Sequence, residues 1–248
     1  MKESLSVHPN YLQKTKEFQE LLRRFDSRGE MVVAGDRNVI KKMVLDGVSF
    51  NIKKFKTPNL FQGLVYQFLR KSKAQRSFEY AQKLIDSGIN TPFPAAYFEQ
   101  QGFGLKASYY ISEHLDYDFD FRVLNHNPKW PHRNEILRQF AAFTFQLHEN
   151  GINFLDHSPG NTLIKDLGDG NYDFYLIDLN RMRFETMDFK KRMHNFRRMW
   201  LSKTMINVMA PVYAGLYGTT SEETHQLMTY YSRIFQKRVN AKKLRRRH

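Results

Sequence analysis

Asn153-Phe154-Leu155-Asp156-His157-Ser158-Pro159-Gly160-Asn161-Thr162-Leu163-Ile164, followed by Tyr175-Leu176-Ile177-Asp178-Leu179-Asn180, decides how the rest of the chain is read. In the first piece an aspartate and an asparagine share a Ser-Pro-Gly loop that leads into an apolar run. In the second an aspartate ends a run of strand formers. Two carboxylates and an amide in this order meet the needs of Mg-nucleotide phosphotransfer: Asp156 accepts or orients the proton of an acceptor hydroxyl, while Asn161 and Asp178 hold metal on the phosphates. Oxygen donors suit Mg²⁺, and few protein groups are needed because water and phosphate complete its shell. D-x(4)-N alone is weak, since an Asx-Pro-Gly turn has the same spelling. The order of parts adds weight. Residues 140–148 read as a helix and Glu149-Asn150-Gly151 as its stop; strand, polar loop, strand, turn and strand then lead to Asp178.

Leu147-His148-Glu149-Asn150-Gly151-Ile152 resembles the approach to a protein-kinase catalytic loop. The wording Asp-His-Ser-Pro-Gly-Asn from Asp156, then Ile-Asp-Leu-Asn-Arg-Met-Arg-Phe from Ile177, is more similar to the lipopolysaccharide kinase family. Its members, the Kdo and heptose kinases of Gram-negative bacteria, have a protein-kinase-like fold. The resemblance extends upstream through Lys53-Lys54-Phe55-Lys56-Thr57-Pro58-Asn59 and Ser72-Lys73-Ala74-Gln75-Arg76-Ser77, and covers residues 30–200. It implies an α+β, two-lobed fold with a small antiparallel-sheet N-lobe and a mainly helical C-lobe. It also implies ATP and Mg²⁺ as cofactors and a sugar hydroxyl of the lipid A–core glycolipid as acceptor. A small-molecule kinase of the aminoglycoside or choline type would share the Asp/Asn/Asp set, and a pseudokinase scaffold would share the fold without turnover.

Size and composition agree with a folded enzyme. The chain has 248 residues, 41% hydrophobic and 15% aromatic, with no cysteine and hence neither a disulfide framework nor a thiolate metal site. No apolar run approaches the ~20 residues needed to span a bilayer, and the N-terminus has no signal-peptide core. The expectation is a cytoplasmic protein. Thirty-nine Lys and Arg against twenty-five Asp and Glu give a net charge of +14, a surplus that seeks phosphate or an anionic surface. No basic-aromatic motif accompanies it, so nucleic acid is not the expected partner. No obligate protein partner is evident. The nine histidines form no H-x(3)-H pair with a further carboxylate, which argues against zinc.

Along the chain, residues 1–29 read as an N-terminal helical extension, with Leu12, Phe18, Leu21, Leu22 and Phe25 among charges. Residues 30–114 form the N-lobe. Met31–Ala34 reads as a strand, Gly35–Asn38 as a turn and Val39–Leu45 as a strand. Asp46-Gly47, a strong hairpin signal, returns the chain into Val48–Phe55. Alternation puts Asn51, Lys53 and Phe55 on one face and Phe50, Ile52 and Lys54 on the other. By resemblance Lys53 matches the anchor for the nucleotide α/β-phosphates, with Lys54 the competitor one residue away. Gly35 is the only glycine in the first turn, so the Gly-rich lid of protein kinases is missing.

Residues 60–69 and 73–86 read as helices, the second ended by Ser87-Gly88. Glu79 occupies the place of the glutamate that pairs with the anchoring lysine in kinases, although it lies off the apolar stripe. A hairpin over residues 97–112 leads to the kinase hinge position, where Glu113 to Leu115 would meet adenine through main chain. The C-lobe is expected over residues 115–236. Phe189, Met193, Phe196 and Trp200 fall on one helix face there. A basic C-terminal tail over 237–248 would hold the protein to an anionic membrane face, placing it on the inner face of the inner membrane. Against protein kinases, Phe154 replaces the loop histidine and Asn180 the glycine after the metal aspartate. Arg181 and Arg183 follow within reach of a substrate phosphate.

Overall fold

Asp46 and Gly47 sit at φ 49° and 78°, the paired positive values of a type I′ turn. They join β3 (Asn38–Leu45) to β4 (Val48–Phe55) in direct register, Leu45 opposite Val48. The computed structural model describes residues 1–35, 38–59, 63, 65–66 and 70–245. The centre of the Gly35–Asn38 turn, most of the helix expected over 60–69 and the last three residues lie outside the described residues. The chain divides into two units, Met1–Leu115 and Asp116–His248.

The first unit is an antiparallel six-stranded sheet in the order β1-β5-β6-β4-β3-β2. Its remaining strands are β1 (Lys2–Val7), β2 (Glu30–Ala34), β5 (Pro94–Gly102) and β6 (Gly104–Glu113). Residues 1–29 are therefore not a purely helical extension: Lys2–Val7 pairs antiparallel with β5 as an edge strand, and only then follow a 3₁₀ turn and helix α1 (Thr15–Arg23). Phe18 and Phe25 are buried against Phe50, Ile52 and Ile111 on one sheet face. Lys41, itself buried, donates to the carbonyls of Phe25 (2.6 Å), Asp26 and Arg28 (both 3.1 Å). That bonding satisfies carbonyls of the turn that follows α1.

Helix α2 (Lys73–Asp86) starts on Ser72, whose side chain accepts from the Gln75 N–H at 3.0 Å. It ends in a Schellman motif: Gly88 takes φ 69°, and the Gly88 and Ile89 N–H groups reach the Ile85 and Leu84 carbonyls. Its buried stripe is Ala74, Ser77, Ala81 and Leu84. Phe78 meets Tyr97 of β5 with ring centroids 5.4 Å apart.

The second unit is mainly helical, comprising α3 (Arg122–His126), α4 (Arg133–Glu149), α5 (Phe189–Asn195), α6 (Lys203–Tyr217) and α7 (Ser221–Leu244). Helix α4 packs on α6, and α6 on α7, around Phe121, Phe140, Phe196 and Tyr213. Small β elements carry the loops: β9 (Thr162–Gly168) pairs with β10 (Asn171–Leu176) and with the two-residue β7 (Phe119–Asp120), and β8 (Ile152–Phe154) pairs with β11 (Met182–Phe184). Helix α5 stops at Asn195, a 3₁₀ turn carries Phe196–Met199, and Trp200 takes φ 55°. Trp200 thus leaves the buried stripe begun by Met193 and is 37% exposed.

Residues 237–244 are not a detached tail but the last turns of α7. Lys, Arg and Ala are good helix formers, and no glycine or proline interrupts them. No described helix is long and apolar enough to cross a membrane.

Candidate active site

The loop carrying Asp156 and the strand end carrying Asp178 are tied together by main chain. The Leu155 N–H reaches the Arg181 carbonyl at 2.9 Å, and the Ile177 N–H reaches the Asn161 carbonyl at 3.0 Å. These two bonds bring residues 26 and 16 apart in sequence side by side in the second unit. The Asn161 Nδ2 donates back to the Asp156 carbonyl at 2.9 Å, which fixes the amide plane within its own loop. Asp178 adopts φ 58°, a left-handed conformation that aspartate tolerates better than most residues. Asn180 Nδ2 then donates to Asp178 Oδ1 at 2.7 Å. These bonds thus set the loops bearing Asp156, Asn161 and Asp178 side by side.

Asp156 carries two guanidinium partners. Arg198 Nη2 lies 2.7 Å from its Oδ1, and Arg181 Nη1 lies 3.6 Å from its Oδ2. Arg181 is adjacent by way of the β-strand pairing of its loop. Arg198 arrives from the 3₁₀ turn after α5, where the sequence shows only one of several basic residues around a helix. A third guanidinium, that of Arg122, packs against Gly160. A Cβ built on Gly160 would stand 1.9 Å from Arg122 Nη2, so glycine admits that approach.

Beneath the loop lies a buried polar network that sequence reasoning missed. Asn195 Nδ2 donates to Asn153 Oδ1 and to the Phe154 carbonyl, both at 2.9 Å. Its Oδ1 consequently accepts from the His157 Nδ1–H at 2.9 Å. His157 is fully buried, and burial pulls its pKa down to about 4. His148, hydrogen-bonded to the Tyr213 hydroxyl at 2.7 Å, is lowered to about 3 for the same reason. Both imidazoles are neutral structural groups rather than proton carriers. The only trace of Asn195 in the sequence is an amide inside a basic helix, a type that rarely enters a core without partners.

The remaining expected residues lie in the first unit. Lys53 stands opposite Tyr110 and Tyr110 opposite Tyr97, a row on the sheet face where Phe78 of α2 touches Tyr97. Lys54 points to the other face, where its Nζ binds Asp26 at 2.9 and 3.3 Å above the rings of Phe25 and Tyr109. Glu79 does not pair with Lys53. Its carboxylate accepts from Lys71 through both oxygens at 2.8 Å and from Gln75 at 3.0 Å, because it projects beside the helix start rather than along the buried stripe.

At the hinge position, the Glu113 N–H is bound to the Phe93 carbonyl (2.9 Å) and the His114 N–H to the Ser49 carbonyl (2.8 Å). The Glu113 carboxylate accepts from Tyr11. The Glu113 and His114 N–H groups are thus committed to neighbouring main chain. A cavity of about 250 Å³ is lined by Phe55 to Asn59 and by Lys73, so it joins the two upstream stretches that carry the family resemblance.

Comparison with curated protein sequences finds no match. Among solved structures the chain is similar to WaaP in complex with acyl carrier protein, with a TM-score of 0.67 and 14% identity, over 94% of this chain and 98% of that one. At that identity the likeness establishes the kinase-like fold alone. The model of the lipopolysaccharide kinase (Kdo/WaaP) family matches residues 41–231. That match contains the Asp156, Asn161 and Asp178 loops and both β-strand lysines, and it identifies the chain as a kinase belonging to the lipopolysaccharide kinase (Kdo/WaaP) family.

Proposed function

We propose that the chain transfers the γ-phosphoryl group of ATP to a sugar hydroxyl of the lipid A–core glycolipid, with Mg²⁺ as the metal. What supports this reading is that the Leu155–Arg181, Ile177–Asn161 and Asn161–Asp156 hydrogen bonds hold the loops bearing Asp156, Asn161 and Asp178 beside one another. Asp156 orients the acceptor hydroxyl and takes its proton. The Asn161 and Asp178 side-chain oxygens hold the metal; a carboxylate and an amide are hard donors of the kind Mg²⁺ takes, with no sulfur or imidazole to favour a softer ion. Bound there, the metal neutralises charge on the phosphates. Lys53 is the phosphate anchor in this reading, supported by its place on the face shared with α2 and by the commitment of Lys54 to Asp26. The Glu113 carbonyl and Leu115 main chain meet adenine.

The acceptor lies at an anionic membrane face, so a basic surface is useful. Helix α7 supplies Arg233, Lys237, Arg238, Lys242 and Lys243 without an acidic residue among them, beside the exposed Tyr230 and Ile234. Each cation near such a surface contributes about 1 kcal/mol. We place the protein peripherally on the cytoplasmic side of the inner membrane. The test is incubation with Mg-ATP and lipid A–core acceptors, with mass spectrometry for gain of one phosphoryl group. Gain with the native chain and none with Asp156→Asn is the expected result. Phosphorylation of aminoglycosides or choline instead would overturn the acceptor.

A further inference from the structure

A carboxylate that must accept a proton is poorly served by two guanidiniums. At 2.7 Å Arg198 occupies one lone pair of Asp156 Oδ1 and competes there with an incoming hydroxyl. Stability does not explain the arrangement, because the arginine side chains are 33% and 58% exposed and partly exposed ion pairs contribute little. Nor are the donors spent. Arg181 stands 3.6 Å from its carboxylate oxygen, beyond hydrogen-bond length. Arg198 has a buried Nε–H with no hydrogen-bond partner among the described residues. Its guanidinium lies over Phe235 of α7, 5.6 Å from the ring centroid, and Trp200 backs that ring at 5.8 Å. The stack supports the guanidinium plane without using its N–H groups.

We propose that Arg198 and Arg181 are the binding site for an oxyanion, a carboxylate or phosphate, carried by the acceptor next to the hydroxyl that is phosphorylated. This rests on the phosphotransfer reading above and adds to it the charge of the substrate. In the resting protein the arginines occupy Asp156. The arriving oxyanion offers the forked geometry they match best and draws them off the aspartate. Asp156 then takes the hydroxyl proton as the acceptor oxygen bonds to the γ-phosphorus and the bond from that phosphorus to the bridging oxygen of ADP breaks. Water carries no anion, so it does not release the base. Acceptor charge therefore serves both recognition and suppression of wasteful ATP hydrolysis.

The experiment compares lipid A–core acceptors in three forms (intact, with sugar-acid carboxylates methyl-esterified, and with phosphates removed enzymatically) on the native chain and on Arg198→Ala, Arg198→Lys and Arg181→Ala. The native chain should lose 10–100-fold in kcat/KM on one of the two modified acceptors, about 1.4–2.8 kcal/mol, and which one identifies the oxyanion. Arg198→Ala should erase that preference, Arg198→Lys should restore part of it, and ATP hydrolysis without acceptor should rise severalfold in Arg198→Ala. Unchanged preference and unchanged hydrolysis in both alanine variants overturn the proposal. Arg181→Ala, a change at a mostly exposed side chain, keeps the test valid should Arg198→Ala misfold. If the native chain phosphorylates none of the acceptors, the function reading fails first. Inorganic phosphate binding, measured calorimetrically with a non-hydrolysable ATP analogue and Mg²⁺ in place, then decides the oxyanion site. Binding lost in both alanine variants upholds it, and binding indifferent to them removes it.

Discussion

Replacing Asn195 by alanine should damage the loop bearing Asp156 from below. The side chain is 1% exposed and makes three hydrogen bonds, to Asn153, to the Phe154 carbonyl and to His157. Truncation leaves three buried polar groups without their partner. Each costs ~1–3 kcal/mol when unsatisfied, so the sum is about 3–6 kcal/mol after some relaxation, against a total stability of ~5–15 kcal/mol. At ~2–4 °C per kcal/mol for a chain of this size, thermal unfolding should fall by roughly 6–24 °C. Asp156 follows Phe154 by two residues, and a loop displaced by about 1 Å loses on the order of 10²-fold in rate. The assay pairs a thermal scan, read by near-UV circular dichroism, with steady-state phosphotransfer at a temperature where the variant is folded. Asn195→Asp keeps the acceptor for His157 but turns a buried carboxylate oxygen toward two other acceptor oxygens, and should be at least as damaging as alanine. A shift under about 2 °C with unchanged kcat would refute the claim that this network positions the loop.

Asp156→Asn should lower kcat by ~10²–10⁴-fold while leaving nucleotide affinity near native, measured by calorimetry; Asp178→Ala should instead abolish Mg-dependent ATP binding. Lys53→Ala should weaken ATP binding while Lys54→Ala leaves it intact, and a reversed pattern would move the anchor to the other face of β4. Stability should decline as pH drops from about 6.5 to about 4. His157 and His148 are held below their usual range by burial, so the unfolded chain binds more protons in that window and acid favours it. Each histidine sets a slope of at most ~1.4 kcal/mol per pH unit. Denaturant midpoints that stay flat across that window would show that the imidazoles are not buried as described.

What was legible in the sequence was local. Asp46-Gly47 forces its own backbone geometry, so the hairpin over β3 and β4 could be read without knowing what it packs on. The Asp156, Asn161 and Asp178 order is likewise a property of short loops. Lys2–Val7 was not legible, because its alternation, Ser-Leu-Ser-Val, is too short to stand out and becomes a strand only through the partner β5. Arg198 and Asn195 were illegible for a related reason. Their partners lie 38–42 residues away, across a helix whose composition suggested only a basic face. Glu79 shows the converse failure. Its position in the chain suggested a kinase ion pair, but helix phase gave it to Lys71.

The cost of each polar contact indicates which parts of the site are fixed and which can move. The Asn195 network is fully buried, and every rearrangement would strand a donor or acceptor in apolar surroundings. The Asp178 turn is held by its own left-handed backbone and by the Asn180 amide at 2.7 Å, where a glycine would leave the aspartate to turn freely. By contrast the Lys71–Glu79 pair is 57% and 31% exposed, the regime in which an ion pair contributes ~0–1 kcal/mol. Glu79 can therefore change partners at little cost, whereas Asn161, Asp178 and the loop bearing Asp156 cannot. A rigid loop with exchangeable surrounding charges is the arrangement that the proposed oxyanion site requires, since the arginines must move while the loop stays.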